Sequence, residues 1–132
     1  MKPVFQTIAG DPTTICFQAC LASILEIPME RVPRYGAANQ LSLYRAWLEH
    51  LGLDLVIANF ADRPELAPHT FSIRCGRGLQ GGSHAVVAHR GRVVHDPMSG
   101  RDPYLKECHC DMVIVPREPQ RWPALAELRP ST

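Results

Sequence analysis

The sequence predicts an α+β fold, with an N-terminal buried helix packed on an antiparallel β-sheet. Three observations predict it. Residues 13–26, TTICFQACLASILE, are apolar almost all round, and only Gln18, Ser23 and Glu26 interrupt the run after Cys16. A helix with no broad polar face belongs in the centre of a domain. A second helical pattern, residues 39–51, follows early, with Leu41, Leu43, Tyr44, Trp47, Leu48 and Leu51 at helical spacing. The clear strand patterns come after it, which is the segregated order of an α+β chain rather than alternating βαβ units.

The elements are justified in chain order. Residues 2–7 read as a short strand or an extended arm. Ala9-Gly10-Asp11-Pro12 is a turn cluster. Thr13 or Thr14 is the expected N-cap of the first helix, since a hydroxyl there accepts from unpaired N–H groups. With Thr14 as the cap, Cys16 takes the second helical position. Pro28 ends the helix, and residues 29–33 make one short helical turn between prolines. Gly52 stops the second helix. Residues 53–59, LDLVIAN, form the first strand, 61–69 a polar connection and 70–75, TFSIRC, the second strand. Residues 76–82 are a glycine-rich loop. Residues 84–88 and 92–96 form a hairpin, 97–103 a turn-rich loop, and 111–115, DMVIV, the last strand. We expect one domain over residues 1–116. The proline-rich tail, 117–132, is expected to pack on it, with 123–129 as a short helix docking through Trp122, Leu125 and Leu128.

Composition narrows the function classes. A chain of 132 residues suits one domain with a real core. With 14 Lys plus Arg against 13 Asp plus Glu, there is no electrostatic reason to expect nucleic acid or an acidic membrane as partner. No apolar run is long enough to span a bilayer. MKPVFQTIAGDP lacks the apolar region of a secretory signal, so a cytoplasmic protein is expected. The five cysteines are odd in number and lack the spacing of a disulfide framework, which suits thiols in a reducing compartment. Cys108-His109-Cys110 lacks the second pair of a zinc site. No metal and no cofactor are expected.

Chemistry enters with Cys16. A helix N-terminus carries partial positive charge and unpaired N–H groups, and both favour a thiolate. A nucleophilic cysteine needs a base, usually His, and a group that orients the base. Of His50, His69, His84, His89, His95 and His109, His84 has the most telling surroundings: it opens the apolar strand AVVA and precedes Asp96 by twelve residues. A three-residue loop, His89-Arg90-Gly91, sets Ala88 opposite Arg92 and His84 directly opposite Asp96. Cross-strand partners have Cβ atoms roughly 4.5–5.5 Å apart, within reach of a carboxylate–imidazole bond. A two-residue Arg90-Gly91 turn sets Asp96 on the other face, and arginine is a poor residue for its first position. The plainer readings stand beside this one. A cysteine in an apolar helix is most often a small core residue, and Cys20 is read that way. A lone His–Asp pair is commonly just a hydrogen bond. His89 is read as a loop residue, His95 as solvent-facing or structural, and Trp47 and its leucine neighbours as core.

TTICFQACLASIL followed by HAVVAHRGRVVHDP resembles the papain-like cysteine peptidase fold and is similar to small bacterial and phage C39-like peptidases. The resemblance runs from Gln6 to about Pro97. It implies Cys16 as nucleophile, His84 as base and Asp96 as orienter. Such families place an oxyanion glutamine six residues before the cysteine, where this chain has Gly10. Gln6, ten residues before Cys16, is the candidate for that role. Ile15 and Phe17 flank the cysteine where glycine or tryptophan is common. The implied activity is a thiol hydrolase cleaving a peptide, isopeptide or related amide bond, with a peptide or protein as substrate. Two alternatives remain open: transglutaminase-like acyl transfer on the same triad, or a non-catalytic binding or adaptor protein that keeps the fold.

Overall fold

A computed structural model describes residues 1–5, 12–36, 38–58, 60, 71–78, 82–98 and 105–116. In order, these form α1 (Pro12–Leu25), a 3-10 turn (Met29–Arg31), α2 (Gln40–His50), β1 (Leu53–Ala58), β2 (Phe71–Arg77), β3 (Ser83–His89), β4 (Arg92–His95) and β5 (Lys106–Pro116). The five described strands make one antiparallel sheet in the order β1-β5-β2-β3-β4. Helices come first and the sheet follows, as the sequence predicts. The expected connection at 61–69, most of the 97–103 loop, the tail at 117–132 and Gln6 lie outside the described residues.

Helix α1 is buried from Ile15 to Ser23 because nearly all its side chains there are apolar. Ile15 to Ala22 are each 8 % exposed or less. The helix packs chiefly on β3, and Cys20 and Leu21 share a core with Ile73, Ala85, Val87 and Met112. Its ends differ from the sequence expectation. It begins at Pro12, so Thr13 and Thr14 lie inside it rather than capping it, and Cys16 is its fifth residue. Proline suits a first helical position because its missing N–H has no partner there anyway. The helix stops before Pro28 exerts any effect: Glu26 turns left-handed at φ 58, and the Ile27 N–H donates to the Ala22 carbonyl at 3.1 Å.

Helix α2 presents Tyr44 and Leu48, both 0 % exposed, to this core. The Tyr44 hydroxyl donates to the Pro33 carbonyl at 2.8 Å, and its ring stacks on Phe17. Gly52, at φ 77, ends the helix as expected. Leu43, expected in the core, is exposed, and Trp47 only borders the core. The N-terminal arm is extended rather than a strand and is stitched down at both edges of the core. The Val4 N–H donates to Ser23 Oγ at 2.9 Å, and His95 Nε2 donates to the Val4 carbonyl at 2.7 Å. Phe5 meets the His95 ring edge-on. His95 is therefore structural and buried, not solvent-facing.

Two strands run longer than their local patterns suggest. β2 continues to Arg77, into the expected glycine loop, and β5 begins at Lys106 and takes in Cys108-His109-Cys110. Between Cys75↔Cys110 and Arg77↔Lys106 the β5 side carries two more residues than β2. Glu107, at φ 51, absorbs them in a bulge. Gly76 permits the close approach there, since a Cβ on it would sit 2.8 Å from the Lys106 carbonyl oxygen.

The sheet face turned away from α1 carries a buried ion pair that the sequence reading did not single out. Asp111, 0 % exposed, accepts from Arg74 Nε at 2.9 Å, from the Ser72 hydroxyl at 3.3 Å and from the Phe60 N–H at 3.0 Å. Arg74 Nη1 also donates to the Gly91 carbonyl at 2.9 Å. That last bond bears on the hairpin. Arg90 and Gly91 are both left-handed, at φ 54 and 82, and His89 pairs with Arg92. The loop therefore has two residues, not the expected three, and His89 ends β3 with its ring stacked on Phe71. A turn with two left-handed residues matches the twist of antiparallel strands, and Arg74 holds its carbonyl from beneath. The parity that would have turned Asp96 away is then reversed. Ala88 pairs with Val93 but Val87 pairs with His95, leaving Val94 as a bulge.

Candidate active site

Continued one residue past the last pair, Val87↔His95, the register would set Asp96 beside Val86, which alternation puts on the same face as His84. The two are diagonal neighbours rather than direct partners. His84 Nε2 and Asp96 Oδ1 are 2.7 Å apart, and both side chains are buried. Asp96 Oδ1 also accepts the Met98 N–H at 3.0 Å, and a carboxylate there accepts from His84 in the tautomer that carries its proton on Nε2. A proton on Nε2 leaves Nδ1 as the basic atom of a neutral ring.

Cys16 reaches the same place from the helix. It borders a cavity of about 210 Å³ together with His84, Ala85, Ser83, Cys75 and the side chains Phe17, Gln40, Leu41 and Met112. His84 borders it because it stands at the end of β3, where the strand meets the start of α1. The Ala85 N–H, next in chain to His84, donates to the Cys16 sulfur. The structure thus gathers Cys16, His84 and Asp96, contributed by α1, β3 and the residue after β4. His50 ends α2 and His89 ends β3, both away from the cavity lining. Gln6 lies outside the described residues. Cys75, Gln40 and Met112 were not singled out by sequence, and Leu41 was read only as part of a helical apolar pattern. They reach the cavity only through strand pairing and helix packing, which leave no local signal.

The thiol does not have the electrostatics expected of it. Burial pushes Cys16 up from 9.0 to about 11, against the opposing pull of the Ala85, Phe17 and Cys16 N–H groups. As the fifth residue of α1 it has passed the first turn, where the helix-end field is strong. At rest near neutral pH the sulfur is a thiol, so attack requires a base. A stability consequence follows. Between pH 9 and 11 the folded chain retains a proton that the unfolded chain has released, so stability falls as pH rises through that window. The loss from Cys16 is on the order of 3 kcal/mol. Urea midpoints measured at pH 8 and pH 11 should converge less steeply on zero in Cys16→Ala than in wild type. An identical pH slope in the two proteins would contradict the assignment.

Among the described residues, no group of three or more His, Cys, Asp or Glu side chains is arranged to hold a metal ion, and no helix is long and apolar enough to cross a membrane. No family model, curated protein or solved structure matches the chain.

Proposed function

We propose that this protein is a thiol-dependent hydrolase of papain-like type, cleaving a peptide, isopeptide or related amide bond through Cys16, His84 and Asp96. The observation that carries the reading is the buried 2.7 Å His84–Asp96 contact on a cavity that Cys16 also lines. In this reading, His84 Nδ1 takes the thiol proton as the sulfur attacks a carbonyl carbon. Asp96 holds the imidazolium in place. His84 returns the proton to the leaving amine, and water releases the acyl group. Gln6 is the proposed oxyanion donor, and such a donor lowers the barrier by about 3 kcal/mol. Phe17, Leu41 and Met112 wall the cavity, and no Asp, Glu, Lys or Arg is among its described lining residues. An apolar acyl side chain suits it. The thiols suit a reducing, cytoplasmic setting.

The test is a screen of amide and peptide substrates on wild type against Cys16→Ala. The expected result is turnover by wild type, strongest for substrates with an apolar acyl residue, and none by Cys16→Ala. Equal activity in the two would end the reading. Incorporation of an added amine in place of water would move the assignment to a transferase.

A further inference from the structure

Cys75 and Cys110 are direct cross-strand partners in β2 and β5. The Cys75 thiol donates a hydrogen bond to the Cys110 sulfur, and both side chains are partly exposed. Antiparallel partners have Cα atoms about 4.5–5.5 Å apart, inside the roughly 4.4–6.8 Å range that a disulfide spans. The ladder beside the pair is irregular, with Gly76 on one strand and the Glu107 bulge on the other. Cys75 also borders the Cys16 cavity. We propose that Cys75 and Cys110 are a redox pair that a peroxide closes to a disulfide, altering one wall of the Cys16 cavity.

The protonation pattern agrees with the geometry. The hydrogen bond from Cys75 lowers Cys110 to about 7, while the same bond and burial raise Cys75 far above the usual thiol range. When the pair loses a proton, the one that remains sits on Cys75, which makes Cys110 the attacking sulfur. A thiol that ionises near ambient pH is the best attacking group. Cys16, held up near 11 by burial, is a poorer target for peroxide. The Cys110 thiolate attacks one peroxide oxygen, and the O–O bond breaks. The products are a sulfenic acid on Cys110 and a hydroxide or alkoxide that takes up a proton. Cys75 sulfur then attacks Cys110 sulfur, and the S–O bond breaks. The hydroxyl leaves as water with the Cys75 proton. Two thiols are oxidised by two electrons, and the peroxide is reduced to an alcohol and water, or to two waters when it is hydrogen peroxide.

The inference does not depend on hydrolase activity, and its test does not read activity. Reduced full-length protein is treated with one equivalent of hydrogen peroxide at pH 7, blocked with N-ethylmaleimide and digested with trypsin without reduction. The expected product is the peptide 75–77 joined to 107–117 that carries one N-ethylmaleimide on Cys108, two hydrogens lighter than the sum of 75–77 and the singly alkylated 107–117. The link should survive in Cys108→Ser and vanish in Cys110→Ser. In Cys75→Ser, Cys110 should stop at a sulfenic acid that dimedone captures. Because fragmentation of the linked wild-type peptide shows whether the bond sits on Cys110 and the maleimide on Cys108, a variant that folds poorly does not decide the matter. A link through Cys108 or Cys16 would overturn the proposal, as would full maleimide labelling of Cys75 and Cys110 after peroxide.

Discussion

Replacing His84 by alanine should slow alkylation of Cys16 by iodoacetamide at pH 7 by about 10²-fold or more. The reasoning starts from the sulfur. Burial holds Cys16 near 11, so on its own about one molecule in 10⁴ carries a thiolate at pH 7. A positioned base supplies about 10²–10⁴-fold by accepting the proton as the sulfur attacks. Without that base, the rate should climb tenfold per pH unit from 7 towards 10, because only the bare thiolate then reacts. Asp96→Asn should also slow the reaction. An amide can turn its N–H₂ towards Nε2 and force the ring proton onto Nδ1, the atom that has to accept. Rates are read by mass on the Cys16 peptide, with Cys108 as internal reference. Loss of folding is distinguishable because it would expose Cys16 and make it faster. An unchanged Cys16 rate in His84→Ala would remove the base from the proposed triad.

Asp111→Ala should cost about 3–5 kcal/mol, a large part of the stability of a single domain. Asp111 satisfies Arg74, the Ser72 hydroxyl and the Phe60 N–H at once, and it is 0 % exposed. Its loss leaves a buried guanidinium without a counter-charge. Arg74 is already short of partners, since its Nη2 is buried without a hydrogen bond. Urea unfolding measures the loss, and the double variant Arg74→Met with Asp111→Leu should recover most of it, because removing both charges removes the desolvation cost. Glu107→Ala is the contrast. Its partner is Arg77, both are about half exposed, and the change should cost under about 1 kcal/mol. A cost for Asp111→Ala as small as that would mean that solvent reaches the pair.

These two sites also mark what a sequence can and cannot disclose. Helix α1 was legible because its pattern is local: one uninterrupted apolar run leaves no other place for it than the core. Its N-terminus was less so, since Pro12, Thr13 and Thr14 each suit a helix start and only the chain's path selects among them. The contact between His84 and Asp96 was legible through strand parity, though by a different route from the one expected. Arg74 and Asp111 were not, because they are 37 residues apart and meet only when β5 inserts between β1 and β2. The same long-range pairing joins Cys75 to Cys110. The early start of β5 escaped notice because Cys108-His109-Cys110 follows no clear alternation of apolar and polar residues.

The bulge in β4 has a consequence for how the hairpin tolerates changes in length. Pairing runs from Ala88↔Val93 directly to Val87↔His95, so Val94 is surplus to the ladder, and its side chain is 45 % exposed. A chain lacking Val94 would form a regular ladder with the same pairs, and Asp96 would keep its place beside Val86. Adding one residue at that point, if the ladder absorbed it by slipping, would turn Asp96 to the helix face and His95 away from Val4. The hairpin therefore holds one residue in reserve. It can be shortened by one without disturbing the carboxylate, but a one-residue insertion puts both Asp96 and the anchor of the N-terminal arm at stake together.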